Sequence, residues 1–178
     1  MHPQRRFMLL LNLLGGAAVL ASYAHGFATY EGNPNDLWGG VPIEIRPLYT
    51  VSMLTATVGY FLFSYFIFFR IDPNRAQVAG RLGYPTFNAI YAGILAPSAL
   101  WMPLTFAMLA HPNEGLWFAV RAVLTLVGLS SLALIAALLT VEPREGRLAR
   151  SLAILGAVAF AFQTALLDAL VWPTFFLP

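Results

Sequence analysis

The chain has no cysteine and no lysine, and it carries few charges of either sign. Without cysteine, disulfides, Cys-ligated zinc or iron–sulfur centres and thiol catalysis are excluded. Without lysine, a Schiff base to retinal is excluded as well. Charged residues make up 10% of the 178 residues, whereas roughly a quarter of a soluble domain is charged. The composition therefore indicates an integral membrane protein.

Long apolar runs fill most of the chain, which is 59% hydrophobic with a mean hydropathy of +0.72. A helix rises about 1.5 Å per residue, so about 20 apolar residues cross a hydrocarbon core of about 30 Å. The sequence predicts an all-α fold, a compact bundle of five transmembrane helices in one domain over residues 1–178. The predicted spans are about 7–26, 47–69, 85–110, 116–140 and 151–172.

All ten basic residues are arginine, and most of them lie at alternate ends of the predicted spans. Because arginine-rich loops stay in the cytoplasm, the N-terminus is predicted inside and the C-terminus outside. We expect a multi-pass protein of a bacterial inner membrane and no nucleic-acid partner, since the arginines serve orientation. The arginines assigned to the cytoplasmic side are Arg5, Arg6, Arg70, Arg75, Arg81, Arg144, Arg147 and Arg150.

The third span contains Pro97, Trp101 and Pro103 in its middle. Proline removes a backbone donor and bends a helix, which is tolerated in lipid where neighbouring helices satisfy the freed groups. Two interpretations stay open. The stretch is either a kinked packing helix, or a helix that turns Trp101 toward a gap in the bundle.

Two ionisable residues, Arg121 and Asp168, lie inside predicted spans, where charges are costly and mark functional sites. They fall at similar depth on the fourth and fifth spans, which a short loop makes antiparallel neighbours. We therefore expect them to pair. The pair is either a structural lock between two helices or the polar end of a pocket that opens outward.

The predicted outer loop, residues 27–46, is long for a helix connection and contains Trp38. Long loops are often lids or binding loops, whereas tryptophan also anchors chains at the membrane interface. His25 and His111 lie at similar depth, but no further ligand completes a metal or haem site around them. No catalytic nucleophile motif is present, and we predict no catalytic residues.

The layout and the stretch Leu100-Trp-Met-Pro-Leu-Thr-Phe-Ala-Met108 resemble the TspO/translocator-protein (peripheral benzodiazepine receptor) family. Those proteins are five-helix membrane proteins with a long first loop over a pocket and a Leu-Trp-x-Pro pattern in the third helix. The resemblance implies a pocket for a porphyrin, a sterol or another lipophile. It also implies that Trp101, Pro103 and Phe106 line that pocket.

The leading hypothesis is a TspO-like sensor or carrier for a hydrophobic small molecule. Trp38, Trp101 and Phe106 would supply stacking surface, and Arg121 and Asp168 would orient a polar substituent. Porphyrin or another lipophile is the expected ligand, and a homodimer or larger membrane complex stays open as the assembly. Two alternatives remain: an accessory subunit of a membrane complex, and a small enzyme acting on a lipid or isoprenoid through Asp168.

Overall fold

A computed structural model describes residues 1–144 and 146–176. It contains five helices that are long and apolar enough to cross a membrane, packed as a bundle, which confirms the predicted all-α class. The helices are α1 Pro3–Thr29, α2 Arg46–Arg70, α3 Pro85–Ala110, α4 Glu114–Thr140 and α5 Arg147–Phe175.

Most helices run a few residues beyond the predicted spans, because prolines, a glycine and a polar cap rather than hydropathy mark where they begin. Pro3, Pro47 and Pro85 occupy first turns, where the missing N–H costs nothing. At the start of α4, Oδ1 of Asn113 accepts a hydrogen bond from the Leu116 amide at 2.9 Å. Gly146, with φ of +68°, turns the chain into α5.

The helices pack in a ring whose order differs from their order along the chain. α3 packs against α1 and α4, α4 packs against α5, and α5 packs against α2. Helices α1 and α2 complete the ring with sparse contact. A hydrogen bond from the Tyr60 hydroxyl to Oδ1 of Asn12, 2.6 Å long, bridges them. The bundle thus has one open seam.

The tightest contact joins α2 to α5. Gly59 and Gly156 face each other there, and a Cβ on Gly156 would lie 2.7 Å from the carbonyl oxygen of Gly59. Ala153 and Ala157 of the same face are fully buried. Without side chains in the way, two spanning helices approach closely and gain van der Waals packing.

The two ends of the bundle differ in chemistry. The loop end carries the Tyr30–Ile45 segment. The arginine-rich end carries the connection between α2 and α3 and the connection between α4 and α5. At the arginine-rich end, Gln77 and Glu142 exchange backbone hydrogen bonds of 2.9 and 2.8 Å, which tie these connections together. Arg150 donates to the carbonyl oxygens of Leu138 and Leu139, capping α4.

Helix α3 is continuous through both of its prolines. Pro97 is buried and Pro103 is exposed. In the turn around Pro103, the Thr105 hydroxyl donates to the carbonyl oxygen of Trp101 at 2.8 Å. The prolines therefore lie within a packed helix and do not divide it.

We expect Gly156→Leu to lower the free energy of unfolding by about 1–3 kcal/mol, because the new side chain would push α5 away from α2. Unfolding in mixed micelles measures this change. Val158→Leu is the matched control, since Val158 is 48% exposed. Equal stability of the two variants would contradict close α2–α5 packing.

The cysteine-free chain allows a direct topology test with single introduced cysteines. Because the arginines favour a cytoplasmic location for their end of the bundle, Asn35→Cys should react with a membrane-impermeant maleimide in spheroplasts. Asn74→Cys, in the connection between α2 and α3, should react only after lysis. The reverse labelling pattern would show the opposite orientation.

Candidate functional site

The second half of α5 is π-helical over Phe162–Val171 and contains three polar residues, Gln163, Thr164 and Asp168. Nε2 of Gln163 donates a 2.7 Å hydrogen bond to Oδ1 of Asp168. Residues five apart face the same side of a π-helix, since its hydrogen bonds run from i to i+5. π-Helical segments frequently mark functional sites, so this stretch is the starting point of the candidate site.

Asp168 points into the bundle and Arg121 does not. Asp168 lies within electrostatic reach of Tyr23 on α1 and Tyr49 on α2. Part of its surface is accessible, although protein atoms surround its carboxyl group densely. The Tyr49 hydroxyl also donates to the carbonyl oxygen of Leu167 at 3.2 Å. The carboxylate therefore belongs to the interior of the bundle.

The predicted pair between Arg121 and Asp168 is wrong. Arg121 is exposed on the outer surface of α4, with its guanidinium carbon 6.0 Å from the centroid of the Trp117 ring. Its neighbours Val120 and Val123 are the residues that face the bundle. Matching depth on adjacent helices does not fix the direction in which a side chain points, and here the two residues point apart.

Trp101 faces the interior, next to α1 and α5. Its ring makes edge contacts with Tyr23, at 5.8 Å between centroids, and with Trp172, at 6.3 Å. The indole Nε1 of Trp101 is buried and has no hydrogen-bond partner among the described residues. The buried Oε1 of Gln163 likewise lacks one in that part of the chain.

Three links of different kinds join polar residues in the loop-end half of the bundle, and the link between Tyr23 and Asp168 is electrostatic only. Trp101 touches Tyr23, Tyr23 lies within electrostatic reach of Asp168, and Asp168 accepts the hydrogen bond from Gln163. These residues include one unmet donor, Nε1 of Trp101, and one unmet acceptor, Oε1 of Gln163. We call Trp101, Tyr23, Asp168 and Gln163 the polar centre.

Phe106 and Pro103 point away from the polar centre. Phe106 is buried against α1, with its centroid 5.9 Å from that of Phe27 and 4.8 Å from that of Tyr30. A Cβ on Gly26 would overlap the Phe106 ring. Pro103 lies exposed on the surface of α3. Among the three α3 residues singled out from the sequence, Trp101 alone joins the polar centre.

The segment Tyr30–Ile45 folds over the loop end and is fastened there. A short 3₁₀ helix, Pro34–Trp38, begins at Asn33, which forms a reciprocal capping arrangement with Asp36. Nε1 of Trp172 donates to the carbonyl oxygen of Leu37 at 3.0 Å. The segment therefore lies on the end of α5. It is shorter than the predicted loop 27–46, because α1 continues to Thr29.

Two further contacts complete this attachment. The Gly40 amide donates to the carbonyl oxygen of Phe175 at 2.8 Å. Trp38 packs edge-on against Tyr49, at 5.9 Å, and under the Arg46 guanidinium, at 5.3 Å. Trp38 thus holds the segment onto α2 rather than entering the polar centre. Both contacts identify Tyr30–Ile45 as a covering segment.

A pocket of about 310 Å³ lies between the covering segment and the bundle. Its walls include Asp36, Gly40, Leu109 and Phe176. Phe176 contacts Trp172 at 4.2 Å, and Trp172 in turn contacts Trp101. This aromatic layer separates the pocket from the polar centre below.

Desolvation and the Asp36 carboxylate, which accepts a 2.8 Å hydrogen bond from the Tyr30 hydroxyl, raise the pKa of Tyr30 above its usual value. The phenol stays protonated at neutral pH and keeps donating to Asp36. This bond links the end of α1 to the 3₁₀ helix. The first part of the covering segment is thereby held against its own 3₁₀ helix.

Gln163 is the residue that sequence reasoning missed as the partner of Asp168. In an α-helix, side chains three or four apart meet, whereas residues five apart do not. The five-residue spacing of Gln163 and Asp168 becomes informative once the local π-helix is known. Tyr23 and Tyr49 carried no distinguishing signal, since tyrosines are common at membrane interfaces.

Comparisons with known proteins give no match. No family model, no curated protein and no solved structure is similar to this chain. The resemblance to the TspO family thus stands on the five-helix layout and the Leu100–Met108 stretch alone. Within residues 1–144 and 146–176, no three His, Cys, Asp or Glu side chains lie close enough together to hold a metal ion.

Trp172→Phe should loosen the covering segment, because it removes the donor to Leu37 while keeping an aromatic ring. The loss of about 1 kcal/mol predicts roughly fivefold faster amide exchange at Gly40 and Val41, measured by hydrogen–deuterium exchange. Trp117→Phe is the control, since Trp117 contacts Trp172 and Phe176 through its ring. Unchanged exchange in Trp172→Phe would show that this hydrogen bond does not hold the segment.

Proposed function

We propose that this membrane protein binds a compact lipophilic small molecule at the polar centre, beneath the covering segment, as a sensor or carrier. The observation that carries the proposal is the pair of unmet groups, Nε1 of Trp101 and Oε1 of Gln163. Their positions specify what a ligand must offer. It needs one acceptor, such as a carbonyl or ether oxygen, and one donor, such as a hydroxyl.

The energetic cost of leaving these two buried polar groups unpaired supports the proposal of a bound ligand. A buried donor or acceptor without a partner costs about 1–3 kcal/mol, and inside a bilayer no bulk water relieves that cost. Two such groups within one bundle represent binding energy that a ligand would recover. Ordered water is the competing occupant, since water also satisfies buried polar groups.

The surroundings define the rest of the ligand. Tyr23, Trp101 and Trp172 present aromatic surface around the unmet groups. Ligand sites are mostly apolar with a few polar groups that fix orientation. The carboxylate of Asp168 is already engaged by Gln163, so it positions the Gln163 amide with Oε1 free. Arg121 and Pro103 have no part in this site.

Size restricts the choice among the expected ligands. The pocket under the covering segment, about 310 Å³, lies at the small end of the range of about 300–1,000 Å³ for ligand pockets. A compact lipophile that enters through this pocket would have to displace the Trp172 and Phe176 rings to reach the polar centre. A tetrapyrrole or sterol would first require release of the Trp172–Leu37 and Gly40–Phe175 hydrogen bonds. The arginine distribution favours access from the outer side.

The test is a fluorescence titration in detergent with a panel of small lipophiles that carry a carbonyl and a hydroxyl. Binding should quench tryptophan emission, because Trp101 lines the site. Gln163→Leu should weaken affinity about tenfold through the lost hydrogen bond. Arg121→Gln should bind like the wild type, since Arg121 lies on the outer surface of α4.

Two outcomes would count against the proposal. One is the absence of saturable binding across the panel. The other is equal affinity in wild type and Gln163→Leu, which would place the ligand elsewhere. Trp101→Phe gives an independent check through thermal stabilisation by the ligand, because it removes the Nε1 donor and retains a ring.

A second candidate function, an accessory subunit of a membrane complex, is favoured by Arg121. An exposed arginine inside a spanning helix is costly in lipid unless it reaches the interface or an acidic partner. In this case, Arg121→Leu would separate the protein from co-purifying subunits on a native gel. A wild-type protein that purifies without partners would remove this candidate.

A further inference from the structure

The open seam between α1 and α2 widens into a groove toward the arginine-rich end of the bundle. Its volume is about 390 Å³. Leu9 and Asn12 of α1 form one wall, Phe61, Ser64 and Phe68 of α2 form the other, and Tyr91 of α3 forms the floor. The groove is separate from the polar centre, which lies in the opposite half of the bundle.

The groove is suited to an unbranched hydrocarbon chain. Three of its polar side chains already have partners: the Asn12 amide donates to the carbonyl oxygen of Met8 at 2.8 Å, and Ser64 and Tyr91 share a 2.7 Å hydrogen bond. The fourth, Tyr65, is 52% exposed. Asn12 also accepts from Tyr60, which closes the groove at mid-depth. What remains accessible is apolar wall, and no hydrogen bond is demanded of the occupant.

Positively charged residues lie at the end of the groove that is near the start of α1. The guanidinium carbon of Arg5 lies 5.9 Å from the centroid of the Phe68 ring, and its Nη2 donates to the carbonyl oxygen of Ile71 at 3.0 Å. The Nε of Arg5 is buried and has no partner in the described chain. Arg6 follows it and is exposed.

The start of α1 adds to this charge. The first turn of α1 contains no acidic residue, so the positive end of the helix dipole is uncompensated. Nearby, burial raises the pKa of Tyr84 to about 12 while Arg5 acts in the opposite direction. Tyr84 therefore stays neutral and does not balance the charge of Arg5.

We propose that the groove holds one acyl chain of an anionic phospholipid from the leaflet at the arginine-rich end, with its phosphate on Arg5 and Arg6. The geometry matches a lipid. Arg5 and Asn12 are separated by about 10 Å along α1. A lipid whose phosphate binds the arginines can therefore extend its acyl chain along the apolar walls of the groove. Arginine suits phosphate, because its planar fork of donors matches the phosphate oxygens.

The lipid would fill the space that helices α1 and α2 leave open between them. Helices α1 and α2 contact each other sparsely, and an acyl chain between them replaces missing side-chain packing. Membrane-facing basic residues each contribute about 1 kcal/mol toward anionic lipid. Charge therefore selects the headgroup, and the groove fixes the position of the chain.

The experiment is native mass spectrometry of the whole protein titrated with phosphatidylglycerol and phosphatidylcholine of identical chains. The wild type should retain one phosphatidylglycerol at least tenfold more tightly than phosphatidylcholine. Arg6→Gln should reduce that preference about fivefold. Arg5→Gln should reduce it further, since Arg5 also contacts the groove wall. Arg147→Gln, an exposed arginine at the same end, should leave it unchanged.

A second pair of variants tests the groove itself. Leu9→Trp fills it and should abolish the tightly held lipid, whereas Leu13→Trp, on the exposed face of α1, should retain it. Equal retention of the two lipids by wild type would overturn headgroup selection. Retention of phosphatidylglycerol by Leu9→Trp would overturn the groove as its site, and thermal unfolding of each variant verifies that it is folded.

Discussion

Every polar group within a bilayer has to be satisfied by the protein or by something the protein binds, and this constraint shapes the loop-end half of the bundle. Asp168 meets it through Gln163, which the π-helical stretch of α5 places on the same side. Trp101 Nε1 and Gln163 Oε1 do not meet it within the described chain. In the proposed site, the satisfied carboxylate of Asp168 has a supporting role, and the two unmet atoms are the ones that would bind a ligand.

The covering segment follows from the same constraint. Its backbone accepts a hydrogen bond from Trp172 and donates one to the carbonyl oxygen of Phe175, both in the last turns of α5. Trp172 connects the two levels of the site, because its indole nitrogen holds the segment while its ring contacts Trp101. A ligand entering from the loop end would therefore disturb the covering segment and the polar centre together.

The five spans, the all-α class and the arginine-rich end were predictable, because hydropathy and helix length follow directly from bilayer thickness. The direction of side chains was not. Arg121 and Asp168 share a depth but point apart, since rotation of each helix about its axis is set by packing that no single sequence reveals. The π-helical register of Phe162–Val171 shifted Asp168 toward Gln163 in the same way. Of two α3 residues singled out from the sequence, Trp101 contacts α1 and α5 inside the bundle, whereas Pro103 lies on its surface.

The most direct test of the account is a high-resolution structure of the protein extracted from its native membrane. The account predicts continuous non-protein density, larger than water, within hydrogen-bonding distance of Nε1 of Trp101 and Oε1 of Gln163. Isolated water molecules on both atoms, or a Trp101 indole turned toward lipid, would contradict it.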